Sequence, residues 1–137
     1  MDLGPQLGRR FRALKLWMVI RAFGAEGLRE RIRAHCRMAR ELAAWIEADP
    51  AFELAAPVPF STVCFRAKAG ASPEEQDRSN ERLLARINAA GPFFLSHTVL
   101  KGRYTLRVAL GNLRTEREHV EALWRMVREV YGECAVL

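Results

Sequence analysis

The chain has 137 residues, of which half are hydrophobic and 28% are charged, and its formal net charge is +6. This length and composition are typical of one globular domain with its own core, and they exclude a disordered tail. The charge is uneven: residues 1–40 hold ten Lys or Arg against three Asp or Glu, and residues 41–137 hold twelve against thirteen. Three cysteines without a CxxC spacing disfavour a disulfide framework or a zinc site, so we expect reduced thiols and a cytoplasmic location.

The first predicted element is a helix over roughly residues 9–23, preceded by an extended lead-in over residues 1–8. It begins with four cations, becomes apolar on every side from Leu16 to Ile20, and is followed by Gly24 as a C-cap. A helix that is hydrophobic all round belongs in a core or an interface. Its apolar run is far shorter than the ~20 residues that a bilayer requires. We therefore expect residues 16–20 to be covered, and we expect no membrane partner.

A second helix is predicted from near Glu26 to Asp49, where Pro50 stops it. Apolar or small side chains recur there at helical spacing: Leu28, Ile32, His35 or Cys36, Ala39, Leu42, Ala43 and Ile46.

Four strands and two further helices complete the predicted domain. Residues 52–54 and 62–67 are predicted strands, and Pro57 and Pro59 place the first at an edge or a bend. Residues 94–100 and 103–110 flank a two-residue turn at Lys101-Gly102 and form a predicted hairpin.

The two later helices each begin with a predicted capping box, Ser72 with Glu75 and Thr115 with Glu118. Apolar stripes follow in both helices: Asn80, Leu83, Leu84 and Ile87 in one, and Val120, Leu123, Trp124, Val127 and Tyr131 in the other. The resulting order, α-α-β-β-α-β-β-α, predicts an α+β fold in which helices cover one face of a small antiparallel sheet.

Several segments carry a resemblance to a known family. They are residues 7–17 (LGRRFRALKLW), 21–24 (RAFG), 27–28, 63–66 (VCFR), 104–107 (YTLR), 111–116 (GNLRTE) and 119–120. In this order they resemble the C-terminal small domain of the group II pyridoxal-phosphate-dependent amino-acid decarboxylases, with the aromatic-L-amino-acid type as the nearest. The resemblance implies that residues 9–137 are the C-terminal domain of a fold-type I enzyme, a carboxy-lyase, and that residues 1–8 lead in from a large domain.

The resemblance also implies that the cofactor site lies elsewhere. Enzymes of this class hold pyridoxal phosphate covalently on a lysine. Lys15, Lys68 and Lys101 are the three lysines, and none is preceded by His as the family's cofactor lysine is. We therefore expect no catalytic, cofactor-binding or metal-binding residue here and no pyridoxal phosphate on this chain alone. The implied partners are the missing N-terminal domain and a second copy in a homodimer.

Two arginines are candidates for functional contacts. In the family the second arginine of the Arg-Arg pair lies at the domain junction near the active site, so the resemblance implies such a position for Arg10. Its alternative is a purely structural ion pair with the missing domain. For Arg107 we expect a buried pair with Glu118 or Glu121, and substrate contact is the other interpretation.

The remaining polar residues are expected to be structural. His35, His97 and His119 have no spacing that converges on a metal. Asn112 and Thr115 are typical turn and cap residues.

Two other functions are compatible with the sequence. One is a free-standing, non-catalytic interaction module. The other is a basic nucleic-acid-binding domain, suggested by the sequence pI of about 9.9 and the arginine-rich second helix. Against nucleic acid, the strands lack the aromatic pair on which an RRM sheet stacks bases, and the arginines are interspersed with Glu26, Glu30 and Glu41.

Overall fold

The computed structural model describes residues 12–135, which form three helices and four strands. In chain order they are α1 (Arg12–Ala48), β1 (Phe52–Leu54), β2 (Thr62–Ala67), α2 (Pro73–Ala90), β3 (Ser96–Leu100), β4 (Arg103–Ala109) and α3 (Arg117–Ala135). Helix α1 is interrupted at Gly24, whose φ of 65° and ψ of 174° are not helical. The two predicted helices therefore exist as two arms, separated at the glycine that was predicted to cap the first.

The chain divides into two compact units, residues 1–33 and residues 34–137. The described part of the first unit is helical on both sides of Gly24. Its contacts are local, such as the ion pair from Arg29 to Glu26 at 3.0 Å and the Arg31 guanidinium over the Phe23 ring at 5.0 Å.

The second unit is an antiparallel sheet in the order β1-β2-β4-β3. The predicted edge position of β1 is confirmed. Because side chains alternate along a strand, one face presents Val63, Phe65, Leu106 and Val108, all of which are buried. These residues share one core with the apolar side chains of α2, α3 and residues 38–46 of α1. The predicted α+β fold, with helices on one face of the sheet, is confirmed.

An aromatic cluster joins the edge strand to the last helix. The Phe52 ring lies 5.0 Å from the Trp124 ring and 4.9 Å from the Tyr131 ring, and Phe65 lies 6.3 Å from Trp124. Rings at these distances in tilted or edge-on geometry attract one another beyond their burial. The aromatic residues of the α3 stripe thus explain why a strand of three residues is held at the edge.

Two asparagines fasten α2 to the sheet. Asn80, fully buried, accepts from the Ala67 N–H at 2.8 Å and donates to the Ala67 carbonyl at 3.0 Å. Asn88 makes the same pair of bonds with the N–H and carbonyl of Leu95, at 2.8 and 3.0 Å. Each side chain satisfies both backbone groups of a residue beside the ladder, where an unpaired buried group would be costly.

The predicted turn of the hairpin is confirmed. Lys101 and Gly102 both have positive φ, 54° and 75°, which is the geometry of a two-residue turn whose twist matches the strands. Strand β3 begins at Ser96, two residues later than expected, because Leu95 bonds to Asn88 instead of continuing a strand.

One capping box is confirmed and the other is wrong. The Glu75 N–H donates to Ser72 Oγ at 3.2 Å, and the Glu75 carboxylate accepts from the Ala71 N–H. Helix α3 begins at Arg117, and the Glu116 N–H before it bonds to His119 Nδ1 at 3.0 Å, so no Thr115–Glu118 box forms. The imidazole of His119 thus takes the role expected of the Glu118 carboxylate, because it accepts from a backbone N–H at the start of the helix.

One residue of the predicted α1 stripe is also misplaced. Ile32 is 57% exposed, and the buried positions of this helix start at His35. Ile32 belongs to the first unit, whereas the core lies in the second.

Candidate functional site

The second face of the sheet carries a row of polar side chains across three strands. Arg107 of β4 is paired with Cys64 of β2 on one side and with Ser96 of β3 on the other. The Arg107 Nε donates to Ser96 Oγ at 3.0 Å, and its guanidinium is exposed. The helices of the second unit pack on the other face, where the core lies. The row presents one fixed positive charge to the surroundings.

The expected buried pair of Arg107 with Glu118 or Glu121 is wrong. Helix α3 packs on the opposite side of the sheet, and Glu121 bonds to Arg117 within its own helix. A strand residue on the alternate face cannot reach a carboxylate across the sheet. The interpretation that Arg107 contacts a substrate stays a prediction.

Cys64 is not an activated nucleophile. Burial raises the pKa of its thiol from the usual 9.0, and the neighbouring positive charge of Arg107 lowers it by a smaller amount. A raised pKa leaves the thiol protonated at neutral pH, and the thiolate is the reactive form.

Next to this row, the same face of the sheet carries an ion pair between β2 and β1. Arg66 bonds to Glu53 through Nε at 2.9 Å and through Nη2 at 2.8 Å. Thr105 is fully buried there, and its hydroxyl donates to the Arg103 carbonyl at 3.1 Å. These groups are satisfied within the chain, so they hold the strands together and offer little to a ligand.

The three lysines are exposed side chains. Lys15 is exposed on α1, Lys68 is exposed just after β2, and Lys101 is exposed in the hairpin turn. A lysine that carries a cofactor needs a site that holds and surrounds it. That none of the three is the cofactor lysine stays a prediction.

The histidines and turn residues have local roles. His35 is buried in α1, His97 stacks on Tyr104 with ring centroids 4.7 Å apart, and His119 caps the start of α3. The Asn112 side chain accepts from the Arg114 N–H at 2.9 Å, and its carbonyl accepts from the Thr115 N–H. Within residues 12–135, no group of three His, Cys, Asp or Glu side chains is placed to hold a metal ion.

Arg10, the predicted site residue, lies outside the described residues. The apolar segment that follows it, defined as residues 14–20, is described and is exposed on all sides: Leu16 is 62%, Trp17 58% and Met18 54% exposed. The first unit therefore does not bury this segment by itself.

A groove of about 800 Å³ lies between the end of α1 and α3. Two of its arginines are paired: Arg117 bonds to Glu41 at 2.8 Å, and Arg128 bonds to Asp49 at 3.1 Å. Arg125 lines the groove as well. The carboxylates around Arg117 raise its pKa from the usual value, chiefly through the hydrogen bond to Glu41. We interpret the groove as a structural ion-pair network.

The row on the open sheet face escaped sequence analysis because it depends on strand register. Along the chain, Cys64 lies 32 residues before Ser96 and 43 before Arg107, and Ser96 lies 11 residues before Arg107. Only the pairing of β2, β4 and β3 aligns the three residues. The hairpin spacing alone would have predicted the Ser96–Arg107 part.

Within residues 12–135, no helix combines the length and apolar character needed to cross a membrane.

Comparison with known proteins gives consistent matches. Residues 1–68 match the pyridoxal-dependent decarboxylase conserved domain. The chain is 43% identical over 124 residues to phenylacetaldehyde synthase of Arabidopsis thaliana, covering 90% of this chain and 25% of that protein. It is 39% identical over 137 residues to tryptophan decarboxylase 1 of Oryza sativa subsp. japonica, covering 96% of this chain and 27% of that protein.

Solved structures agree with the sequence matches. The crystal structure of Oryza sativa TDC with PLP and tryptamine superposes with a TM-score of 0.85 at 38% identity, over 93% of this chain and 28% of that one. The crystal structure of Catharanthus roseus tryptophan decarboxylase with L-tryptophan gives a TM-score of 0.81 at 36% identity, over 92% of this chain and 26% of that one. The chain thus spans about a quarter of the length of the relatives it matches.

Proposed function

Since this chain belongs to the pyridoxal-dependent decarboxylase family, we propose that it is the C-terminal small domain of an enzyme that decarboxylates aromatic amino acids. The observation that carries the proposal is the pattern of coverage. The match to tryptophan decarboxylase 1 of rice covers 96% of this chain but only 27% of the rice enzyme. The fold of this chain superposes on rice TDC with a TM-score of 0.85. The similarity therefore concerns one whole domain of a larger enzyme.

The cofactor of the intact enzyme would be pyridoxal phosphate, held by the remaining three quarters of the enzyme. Bound there, it supplies the electron sink that decarboxylation requires. The exposed positions of Lys15, Lys68 and Lys101 support the proposal that none of them is the cofactor lysine and that this chain alone is inactive.

The partners we propose are the family's large cofactor-binding domain and a second copy of the enzyme in a homodimer. Two features support partners of this kind. The helices of the second unit pack on the face of the sheet opposite Arg107, and the apolar segment of residues 14–20 is exposed. Exposed apolar surface of this extent is typical of interaction sites. The free thiols of Cys36 and Cys64 support a cytoplasmic location.

Within this proposal, residues 1–8 lead in from the large domain, residues 9–137 are the small domain, and Arg10 lies next to the active site. A fixed guanidinium there would stabilise negative charge on a substrate or a phosphate, because preorganised charges need no reorganisation during the reaction.

Aldehyde formation is a second candidate for the reaction of the whole enzyme. It is favoured by the 43% identity to phenylacetaldehyde synthase and by a TM-score of 0.82 to Rhodiola rosea 4-hydroxyphenylacetaldehyde synthase. Both outcomes are compatible with the same small domain.

A domain exchange tests the proposed function. The matching C-terminal quarter of rice tryptophan decarboxylase 1 would be replaced by this chain, and carbon dioxide, amine and aldehyde would be measured with tryptophan. We expect carbon dioxide release within about tenfold of the parent, a loss of under about 1.4 kcal/mol in transition-state stabilisation. A matched control carries Phe65→Asp, which places a charge in the core and should abolish folding of the exchanged domain.

An exchanged enzyme that folds, binds pyridoxal phosphate and yet releases no carbon dioxide would contradict the proposal. The proposal would also be contradicted if the exchanged enzyme neither folds nor binds pyridoxal phosphate while the parent enzyme does both. This chain would then not be equivalent to the small domain it replaces.

A further inference from the structure

We propose that the second unit contains a binding site for a small amphipathic anion, with an aromatic or aliphatic body and one carboxylate. The site is a cavity of about 410 Å³ between the segment before β3, the end of β4 and the start of α3. This volume lies within the range of small-molecule sites. The proposal concerns a surface that the proposed function does not use.

The floor of the cavity is apolar and already ordered. Leu95, Leu110, Val120 and Leu123 line it, and all four are buried in the core. Against this floor stands Phe94, which is 85% exposed. A phenyl ring left in water beside an apolar floor would gain burial from a ligand body placed between them.

The rim of the cavity is positive and lacks opposing charge. Arg114 and His119 line it, together with Asn112, and none of the described lining residues is acidic. No salt bridge of Arg114 is found in the part of the chain that the structure describes. A guanidinium without an internal carboxylate can accept a ligand carboxylate in a two-bond geometry.

A histidine also lines the cavity. His119 Nδ1 accepts from the Glu116 N–H at 3.0 Å, so the neutral imidazole carries its proton on Nε2. That N–H is a second donor for an anion held by Arg114. The groove near Trp45 differs in this respect, because Asp49 and Glu121 line it and its Arg117 and Arg128 are paired with carboxylates.

The walls are held in place by backbone contacts. Leu95 is bonded through both backbone groups to Asn88, and the Leu110 N–H donates to the Ser61 carbonyl at 2.8 Å. The Arg114 N–H is fixed by the Asn112 side chain at 2.9 Å. A site whose walls are ordered before binding loses less entropy when a ligand enters.

The experiment is a titration of this chain with 3-phenylpropionate, followed by saturation-transfer NMR and by the methyl shifts of Leu95 and Leu123. Phenylpropan-1-ol and phenethylamine, neutral and cationic probes of similar size, are titrated in parallel. We expect a Kd on the order of 1 mM for the anion, because a ligand of so few atoms is bounded in affinity. The alcohol and the amine should bind at least about tenfold more weakly, because they lack the carboxylate and so lose the charged hydrogen bond to Arg114.

Two variants locate the site, each with a matched control. Arg114→Gln should weaken binding of the anion about tenfold or more. Arg125→Gln, a change to an exposed arginine further along α3, should leave the Kd of the anion unchanged. Phe94→Ser should weaken binding of all aromatic probes, whereas Phe60→Ser, in the exposed loop after β1, should not.

Equal affinity for the three probes, an unchanged Kd in Arg114→Gln, or methyl shifts confined to other residues would each overturn the proposal. Because the methyl shifts are measured on the unsubstituted chain, they decide the matter even if a variant does not fold.

Discussion

At the scale of single residues, asparagine is the amino acid that most affects this fold. Asn80 is fully buried and makes three hydrogen bonds: two to the backbone of Ala67 and one from its amide to the Gln76 carbonyl at 2.8 Å. A polar side chain in an apolar stripe is tolerated only when it is satisfied in this way. The position was predicted to face the core, and the bonds explain why a polar residue can occupy it.

Replacing Asn80 by Ala should lower the free energy of unfolding by about 2–4 kcal/mol, because the Ala67 N–H and carbonyl are then buried without partners. Urea unfolding followed by tryptophan fluorescence measures the change. Arg82→Ala, an exposed position on the same helix, should change stability by less than about 0.5 kcal/mol. A loss below about 1 kcal/mol for Asn80→Ala would mean that water or a shifted backbone replaces these bonds.

Arg10 is the residue on which the proposed function depends most. In the enzyme with the exchanged domain, Arg10→Ala should reduce kcat by the equivalent of roughly 2.7–4 kcal/mol, the usual loss for a preorganised charge. Thermal stability should change by well under about 1 kcal/mol, because we expect Arg10 to act on charge near the active site and not on packing. Arg37→Ala, at an exposed position of the second unit, is the control. Near-normal turnover of the Arg10 variant would make this arginine structural.

At the scale of elements, the two arms of α1 behave differently. The arm after Gly24 reaches the core from His35 onward, and its spacing of apolar residues gives it one buried face. The arm before Gly24 has apolar side chains on all sides, and in the described chain they are exposed. Helical periodicity explains the arm after Gly24, and we propose that a partner covers the arm before Gly24.

The isolated chain should therefore self-associate at micromolar concentration through residues 14–20. Each large apolar side chain left in water forgoes roughly 1.5–3 kcal/mol of burial, and association recovers part of it. Trp17→Glu or Met18→Glu should shift sedimentation velocity toward the monomer. Phe60→Glu, the same kind of change at an exposed phenylalanine in the loop after β1, should not. A monomer across this range without substitution would contradict the prediction.

At the scale of the whole molecule, the second unit is a small domain of helices packed on a sheet. Its helices pack on one face of the sheet, and the polar row of Cys64, Arg107 and Ser96 lies on the other. The chain matches about a quarter of the length of its relatives. That the reaction centre lies outside this chain is part of our proposal.

Incubation of the isolated chain with pyridoxal phosphate and borohydride should label Lys15, Lys68 and Lys101 weakly and without preference. All three are exposed, so each should react as a free amine, and peptide mass mapping measures the extent at each lysine. The intact rice enzyme is the positive control. Stoichiometric labelling of one lysine, accompanied by decarboxylation, would overturn the proposal that the cofactor lysine lies outside this chain.

The sequence by itself determined the elements, the sheet-and-helix class and the family. Periodicity, proline and glycine signals are local, so they predicted residues 52–54 and 62–67 as strands, the Lys101-Gly102 turn and the α3 stripe. The resemblance depended on motif order along the chain, which is also a property of sequence alone.

Only the tertiary structure decided which residues meet across distance. Strand register aligned Cys64, Arg107 and Ser96, and it placed Arg107 on the face away from α3, which corrected its expected partner. His119, and not Glu118, accepts a backbone hydrogen bond at the start of α3, and Asn80 satisfies the backbone of Ala67. Such contacts join residues distant in the chain, or choose between two competing acceptors, and neither outcome is contained in local spacing.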